Sequence, residues 1–156
     1  MDHLQNHSLV KIVLVVHDIE KKVDSFVALF GIARPQVVSP SPPAPDSKAV
    51  TEFHGKRISG LVRLANIAMG SVTLELIEPM DGNSPWAEHL EKRGEGIFSI
   101  VCTVDGFEKQ ISMMNELGMP LYHLGEYGSG RYAYFETLAA LGTTLYPSAY
   151  HYAISG

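Results

Sequence analysis

A near-copy of one segment recurs late in the chain, and this internal repeat restricts the possible folds more than any other feature. KIVLVVHDIEKKVDSFVALF aligns without gaps on SIVCTVDGFEKQISMMNELG, with Lys11 matching Ser99 at an offset of 99 minus 11, or 88. Ile12, Val13, Val16, Glu20, Lys21 and Leu29 return as Ile100, Val101, Val104, Glu108, Lys109 and Leu117. Further on, Thr73-Leu74-Glu75 matches Thr144-Leu145-Tyr146 at an offset of 144 minus 73, or 71. The first half is therefore longer by 88 minus 71, or 17 residues, somewhere between its helix and its fourth strand. Repetition at this scale means two copies of one supersecondary unit, each burying the other's open side.

Local patterns say what the unit is. LVKIVLVV at 9–16 is β-rich, and Asp18 can cap a helix whose Val23, Phe26, Val27 and Phe30 follow helical spacing up to Gly31. ARPQVV reads as strand-like, and SPSPPAPDSK, with four prolines in ten residues, excludes helix and central strand. That stretch is the natural home of the extra length. LVRLANIAM at 61–69 and VTLELIEP at 72–79 read as a strand pair joined at Gly70-Ser71. In the second of these, Val72, Leu74 and Leu76 share one face, while Thr73, Glu75 and Ile77 share the other. Ser84-Pro85 opens a short helix that stops before Gly94, and Gly94-Glu95-Gly96 turns into the strand IFSIVCTV. A helix follows with Phe107, Ile111, Met114 and Leu117 on one face, then PLYHLG, a glycine turn, RYAYFET and GTTLYPSAY as strands. The expectation is one α+β domain over 1–156: two β-α-β-β-β modules, about 8–79 and 96–150, joined by a helix at about 84–93. Side by side, two such units form a cupped mixed sheet, and a cup is a place for a ligand.

Composition narrows the partners. With 46% hydrophobic and 19% charged residues, 156 residues can bury a core without staples. A net charge of -5, with no basic run longer than Lys21-Lys22, argues against nucleic acid. The N-terminal segment lacks a basic region followed by an apolar one, and no apolar run reaches the roughly 18 residues of a membrane span, so a cytoplasmic protein is expected. Cys102 is the single cysteine, set in an apolar strand, which points to an inert buried thiol.

The double module, the run TLELIEP, the segment GEGIFSIVCTVDGFE and the YFET...LG ending together resemble the vicinal oxygen chelate superfamily, which includes glyoxalases, bleomycin-resistance proteins and dioxygenases. The nearest look is to its methylmalonyl-CoA epimerase and glyoxalase-like branch, whose enzymes hold a divalent metal in the cup. The resemblance places the four metal-ligand positions at Lys11, Glu75, Ser99 and Tyr146, of which only Glu75 is of the ligand type. An ammonium repels a cation, and serine and neutral tyrosine are poor ligands, so no metal or other cofactor is expected. Lys11 and Glu75 facing one another in the cup suggest another chemistry: Lys11 polarises a carbonyl while Glu75 or Tyr146 moves a proton. A purely structural ion pair is the competing reading. Ser99, Phe98, His123, Arg131 and Tyr134 are the expected ligand-binding residues, although a polar exposed hairpin is the simpler account of PLYHLGEYGSGRYAYF. The resemblance implies a homodimer binding a small carbonyl or thioester metabolite, as a lyase or isomerase. The alternative is metal-free sequestration of a small compound, and a dioxygenase ranks third because the two-histidine, one-carboxylate iron site is missing.

Overall fold

The computed structural model describes residue 3 and residues 8–40, 51–127 and 130–148. Among the described residues, nine strands form one mixed sheet: β1 (Ser8–Val15), β2 (Thr51–Phe53), β3 (Lys56–Arg57), β4 (Val62–Met69), β5 (Val72–Pro79), β6 (Gly96–Thr103), β7 (Leu121–Tyr127), β8 (Gly130–Phe135) and β9 (Thr144–Ser148). The helices are α1 (Ile19–Phe30), α2 (Pro85–Arg93), α3 (Phe107–Glu116) and the single turn α4 (Leu138–Leu141). Strand order is β3-β2-β7-β8-β9-β6-β1-β5-β4. This is an α+β fold of two β-α-β-β-β modules, meeting where β1 runs antiparallel to β6.

The repeat is visible in the register. Ile12 lies opposite Ile100, flanked by Lys11 opposite Val101 and Val13 opposite Ser99, so a pseudo-twofold through the isoleucine pair carries Lys11 onto Ser99 at the offset of 88. Parallel pairing repeats in the same way: Val13 sits beside Glu75, and its counterpart Val101 sits beside Tyr146. The two isoleucines thus mark the point about which β1 and β5 correspond to β6 and β9.

Each module covers its convex face with its own helix. Asp18 caps α1 by accepting from the Lys21 N–H at 3.1 Å, and Gly31 ends it in the left-handed region at φ 62°. The helix buries Ile19 and Val23 against Ala65, Ile67 and Leu76. Its counterpart α3 buries Met113 and Met114 against Ala133, Phe135 and Leu145. Burial of each such side chain contributes about 1.5–3 kcal/mol, so the periodic apolar stripe fixes which side of the sheet each helix takes.

Two expectations are corrected. ARPQVV is not a strand: it meets the sheet only at Val38, whose backbone exchanges two bonds with Leu64 at 2.8 and 2.9 Å. The one-turn helix α4 stands where only a loop was expected, held by Thr137, whose hydroxyl donates to the Thr143 carbonyl at 2.8 Å and accepts from the Leu145 N–H at 2.7 Å. Most of the proline-rich stretch, residues 41–48, lies outside the described residues.

The 17 extra residues of the first module do more than loop. β2 and β3 form a ribbon that leaves its own module and pairs with β7, at the far edge of the other one, through Thr51–Gly125, Glu52–Leu124 and Phe53–His123. Its turn, His54-Gly55, has φ of 51° and 74°, the double positive φ that a tight two-residue hairpin needs. Only four residues then separate β3 from β4, at the opposite edge of the sheet. Five Cα steps reach at most about 18 Å. A flat sheet of nine strands would part its edges by about 38 Å. The sheet must therefore bend round until its two edges approach, which makes the concave side a cup.

Candidate functional site

On the concave face, β1, β5, β6 and β9 bring Lys11, Glu75, Ser99 and Tyr146 to the four pseudo-symmetric positions that the repeat defines. Lys11 Nζ donates to Glu75 Oε2 at 2.7 Å, with the two side chains 9% and 11% exposed. Ser99 is fully buried, and its hydroxyl has no hydrogen-bond partner among the described residues. Tyr146 packs its ring 5.1 Å from those of both Tyr132 and Tyr134.

The donor set does not fit the metal that the family implies. A cation here would share its only carboxylate with an ammonium already in contact with it, which adds repulsion to the loss of a ligand. Among the described residues, no group of three His, Cys, Asp or Glu side chains converges to hold an ion. No step is derived through a metal.

The rest of the concave face is a packed aromatic interior. Trp86 reaches in from α2 and donates its indole N–H to the Tyr134 hydroxyl at 3.1 Å. His123 is 1% exposed, stacks on Tyr134 with centroids 4.9 Å apart, and shares a 3.0 Å hydrogen bond between Nε2 and the Tyr132 hydroxyl. Burial pushes the imidazole down to about 3, only partly offset by the backbone of Glu52, so His123 is neutral at pH 7. The expectation of an exposed polar hairpin is therefore wrong for His123 and Tyr134. The β7–β8 pair turns these side chains inward, and Gly125 makes room for the ring of Tyr132, which lies where a Cβ would stand. Arg131 is paired with Glu126 in the backbone register, but its side chain lies outside the described residues.

Beyond this packed aromatic cluster, a cleft opens at the rim. This cleft, of about 450 Å³, lies between α2 on one side and α4 with Glu136, two residues before it, on the other. Phe98, Tyr122 and Thr144 contribute from β6, β7 and β9, and His54 comes from the ribbon turn. The Tyr122 hydroxyl is 3.4 Å from Thr144 Oγ1, and burial pushes the phenol up to about 12 despite that contact. His89 meets the Phe98 ring edge-on at 5.3 Å; burial, then the charge of Arg93, holds its imidazole below the usual range. Of the expected ligand-binding residues, only Phe98 borders this cleft, whereas Ser99, His123 and Tyr134 lie in the packed interior. Arg93, Glu136, Leu138 and Thr144 were not anticipated. They come from separate elements, and no local pattern in the sequence links them.

These features fix the class, and comparison with known proteins agrees. The chain belongs to the Glyoxalase/Bleomycin resistance protein/Dioxygenase superfamily, which it matches over residues 11–135. Among solved structures it is similar to a hypothetical protein of Bacillus halodurans C-125, with a TM-score of 0.67 at 22% identity, covering 92% of this chain and 94% of that one. It is also similar to methylmalonyl-CoA epimerase from Mycobacterium tuberculosis, with a TM-score of 0.60 at 18% identity, covering 95% and 91% of the two chains. A Streptomyces coelicolor methylmalonyl-CoA epimerase in complex with 2-nitronate-propionyl-CoA gives a TM-score of 0.62 at 17% identity, covering 92% and 97%. Identities this low show a shared fold and no more. No curated protein matches the chain.

Proposed function

We propose that this chain is a metal-independent, small-molecule-binding member of its superfamily, which holds its ligand in the rim cleft. The observation that carries this reading is the 2.7 Å contact of Lys11 with Glu75, which places a fixed positive charge against the one family-type metal ligand that remains. The cleft supports it further: its volume is within the usual range for ligand sites, and Phe98, Tyr122 and Leu138 give it apolar surface beside charged groups. The ligand is a small molecule rather than nucleic acid, consistent with the net charge of -5. No described helix is long and apolar enough to cross a membrane.

A thermal scan with Mn²⁺, Co²⁺, Ni²⁺ and Zn²⁺ tests the proposal. A ligand that binds only the folded state, at a hundredfold excess over its dissociation constant, adds about 2.7 kcal/mol. None of the four ions is expected to do so. Binding of one ion per chain through Glu75 at micromolar affinity would overturn the reading.

A second reading is favoured by the same ion pair. Lys11 and Glu75 share the concave face with Tyr146, and solved proteins of this fold include methylmalonyl-CoA epimerases in complex with methylmalonyl-CoA or 2-nitronate-propionyl-CoA. A carbonyl or thioester entering there would be polarised by the Lys11 ammonium, while Glu75 or Tyr146 exchanges the proton on the adjacent carbon. Incubation of methylmalonyl-CoA in D₂O, followed by NMR, separates the two readings. The first expects no exchange at the α-carbon; exchange that Lys11→Met abolishes would establish the second.

A further inference from the structure

We infer that the rim cleft takes a small zwitterion with an apolar or aromatic body, a compound of the α-amino acid type; this rests on the reading of the cleft as the ligand site. Four formally charged side chains border the cleft: Glu88, Lys92, Arg93 and Glu136. Lys92 holds Glu88 at 2.5 Å, and the imidazole of His54 approaches the same carboxylate at 3.8 Å, so these groups satisfy one another. Arg93 and Glu136 make no ion pair with each other or with any other described residue. Among the described residues one guanidinium and one carboxylate, both exposed, therefore remain without an ion pair, on two different elements that border the cleft: Arg93 in the last turn of α2, Glu136 between β8 and α4.

The same cleft also carries apolar surface. Phe98, Tyr122 and Leu138 offer rings and an aliphatic chain, and His89 is kept neutral by burial and by Arg93. A monoanion of the right shape would satisfy Arg93, whose fork suits a carboxylate, but would bring its negative charge to a cleft that also holds Glu136. A monocation meets the reverse problem at Arg93. A ligand with a carboxylate, an ammonium and an apolar body satisfies both residues and covers the rings, and specificity against singly charged analogues follows from the charge each would leave unmatched.

Three probes share one ring and differ only in charge: L-phenylalanine, phenylacetate and 2-phenylethylamine. Trp86, the single tryptophan and a neighbour of Pro85 in the cleft wall, reports binding by fluorescence, and the methyl groups of Leu138 and Ala139 report its location by NMR. L-phenylalanine is expected to bind at least ten-fold more tightly than either analogue. Arg93→Ala should reduce it to the level of 2-phenylethylamine, and Glu136→Gln to the level of phenylacetate. An advantage below ten-fold, or one that survives both substitutions, overturns the zwitterion assignment. Should all three probes fail while benzyl alcohol shifts the Leu138 and Ala139 methyls, the ligand class is wrong and the cleft remains the site. If none of the four shifts those methyls, the cleft reading falls as well.

Discussion

Replacing Lys11 with methionine removes one charge from a pair that water barely reaches. At 2.7 Å, with an effective dielectric constant near 20, the attraction between the two charges is about 6 kcal/mol. Most of this offsets the cost of taking both groups out of water, so the pair as a whole contributes little. Lys11→Met leaves that cost in place for Glu75, which is 9% exposed beside Val13 of the neighbouring strand, and cancels the attraction. The expected loss is about 3–5 kcal/mol. For a chain of 156 residues, each kcal/mol moves the melting temperature by about 2–4 °C, so the midpoint should fall by about 6–20 °C. Glu75→Leu alone should cost a similar amount, by stranding the ammonium. The double variant Lys11→Met with Glu75→Leu should recover to within about 1 kcal/mol of the parent, or exceed it. Urea denaturation of the four proteins gives the cycle directly. If both single variants lose less than 1 kcal/mol, water reaches the pair and its burial has been misjudged. If the double variant loses the sum of the two, the residues do not interact.

Three further outcomes follow from the same interior. Gly125→Ala should destabilise the protein by about 1–3 kcal/mol, because the new methyl takes the place of the Tyr132 ring and breaks its bond to His123; urea midpoints measure this, and an unchanged midpoint would show that the ring is free to move. His123 is depressed in the folded state to about 3 against about 6.5 unfolded, so the stability it contributes is complete above pH 6.5 and is lost as pH falls, at about 1.4 kcal/mol per unit, until near pH 3. His123→Phe should flatten that slope between pH 6 and 4, and an identical slope in the variant would assign the proton uptake elsewhere. Lys11→His combined with Ser99→His supplies two imidazoles on the face that carries Glu75, and Zn²⁺ or Co²⁺ should then raise the melting temperature where the parent shows no response.

The repeat made the fold legible because β-register is set by alternation, and two gapless offsets fix which residues face the same way. The family resemblance implied that Lys11, Glu75, Ser99 and Tyr146 meet in the cup, although only VTLELIEP shows a period of two of its own, and the strand register puts the four on one face. The β2–β3 ribbon was not legible. Thr51-Glu52-Phe53 and Lys56-Arg57 are too short and polar to show a period, and their pairing depends on a partner strand some seventy residues away. His123 was misread for a related reason: local polarity suggested an exposed hairpin, whereas cross-strand packing with Tyr132 and Tyr134 turned the imidazole inward. The rim cleft could not be read at all, because its lining joins a helix face, a one-turn helix, three strands and a turn.

The ribbon gives the molecule a closed mechanical circuit. Starting at β4, hydrogen bonds lead through β5, β1, β6, β9, β8 and β7 to β2, and from β3 the chain itself returns to β4 within four residues. In an open sheet an edge strand can peel away alone, but here tension on either outer edge is carried round the ring to the other. Losing β2 from β7 slackens the bend that presses the aromatic side chains together, and losing β4 from β5 pulls on the ribbon. The two modules, alike in sequence and each with its own helix, are thereby tied together at the far edges of the sheet as well as along the β1–β6 seam.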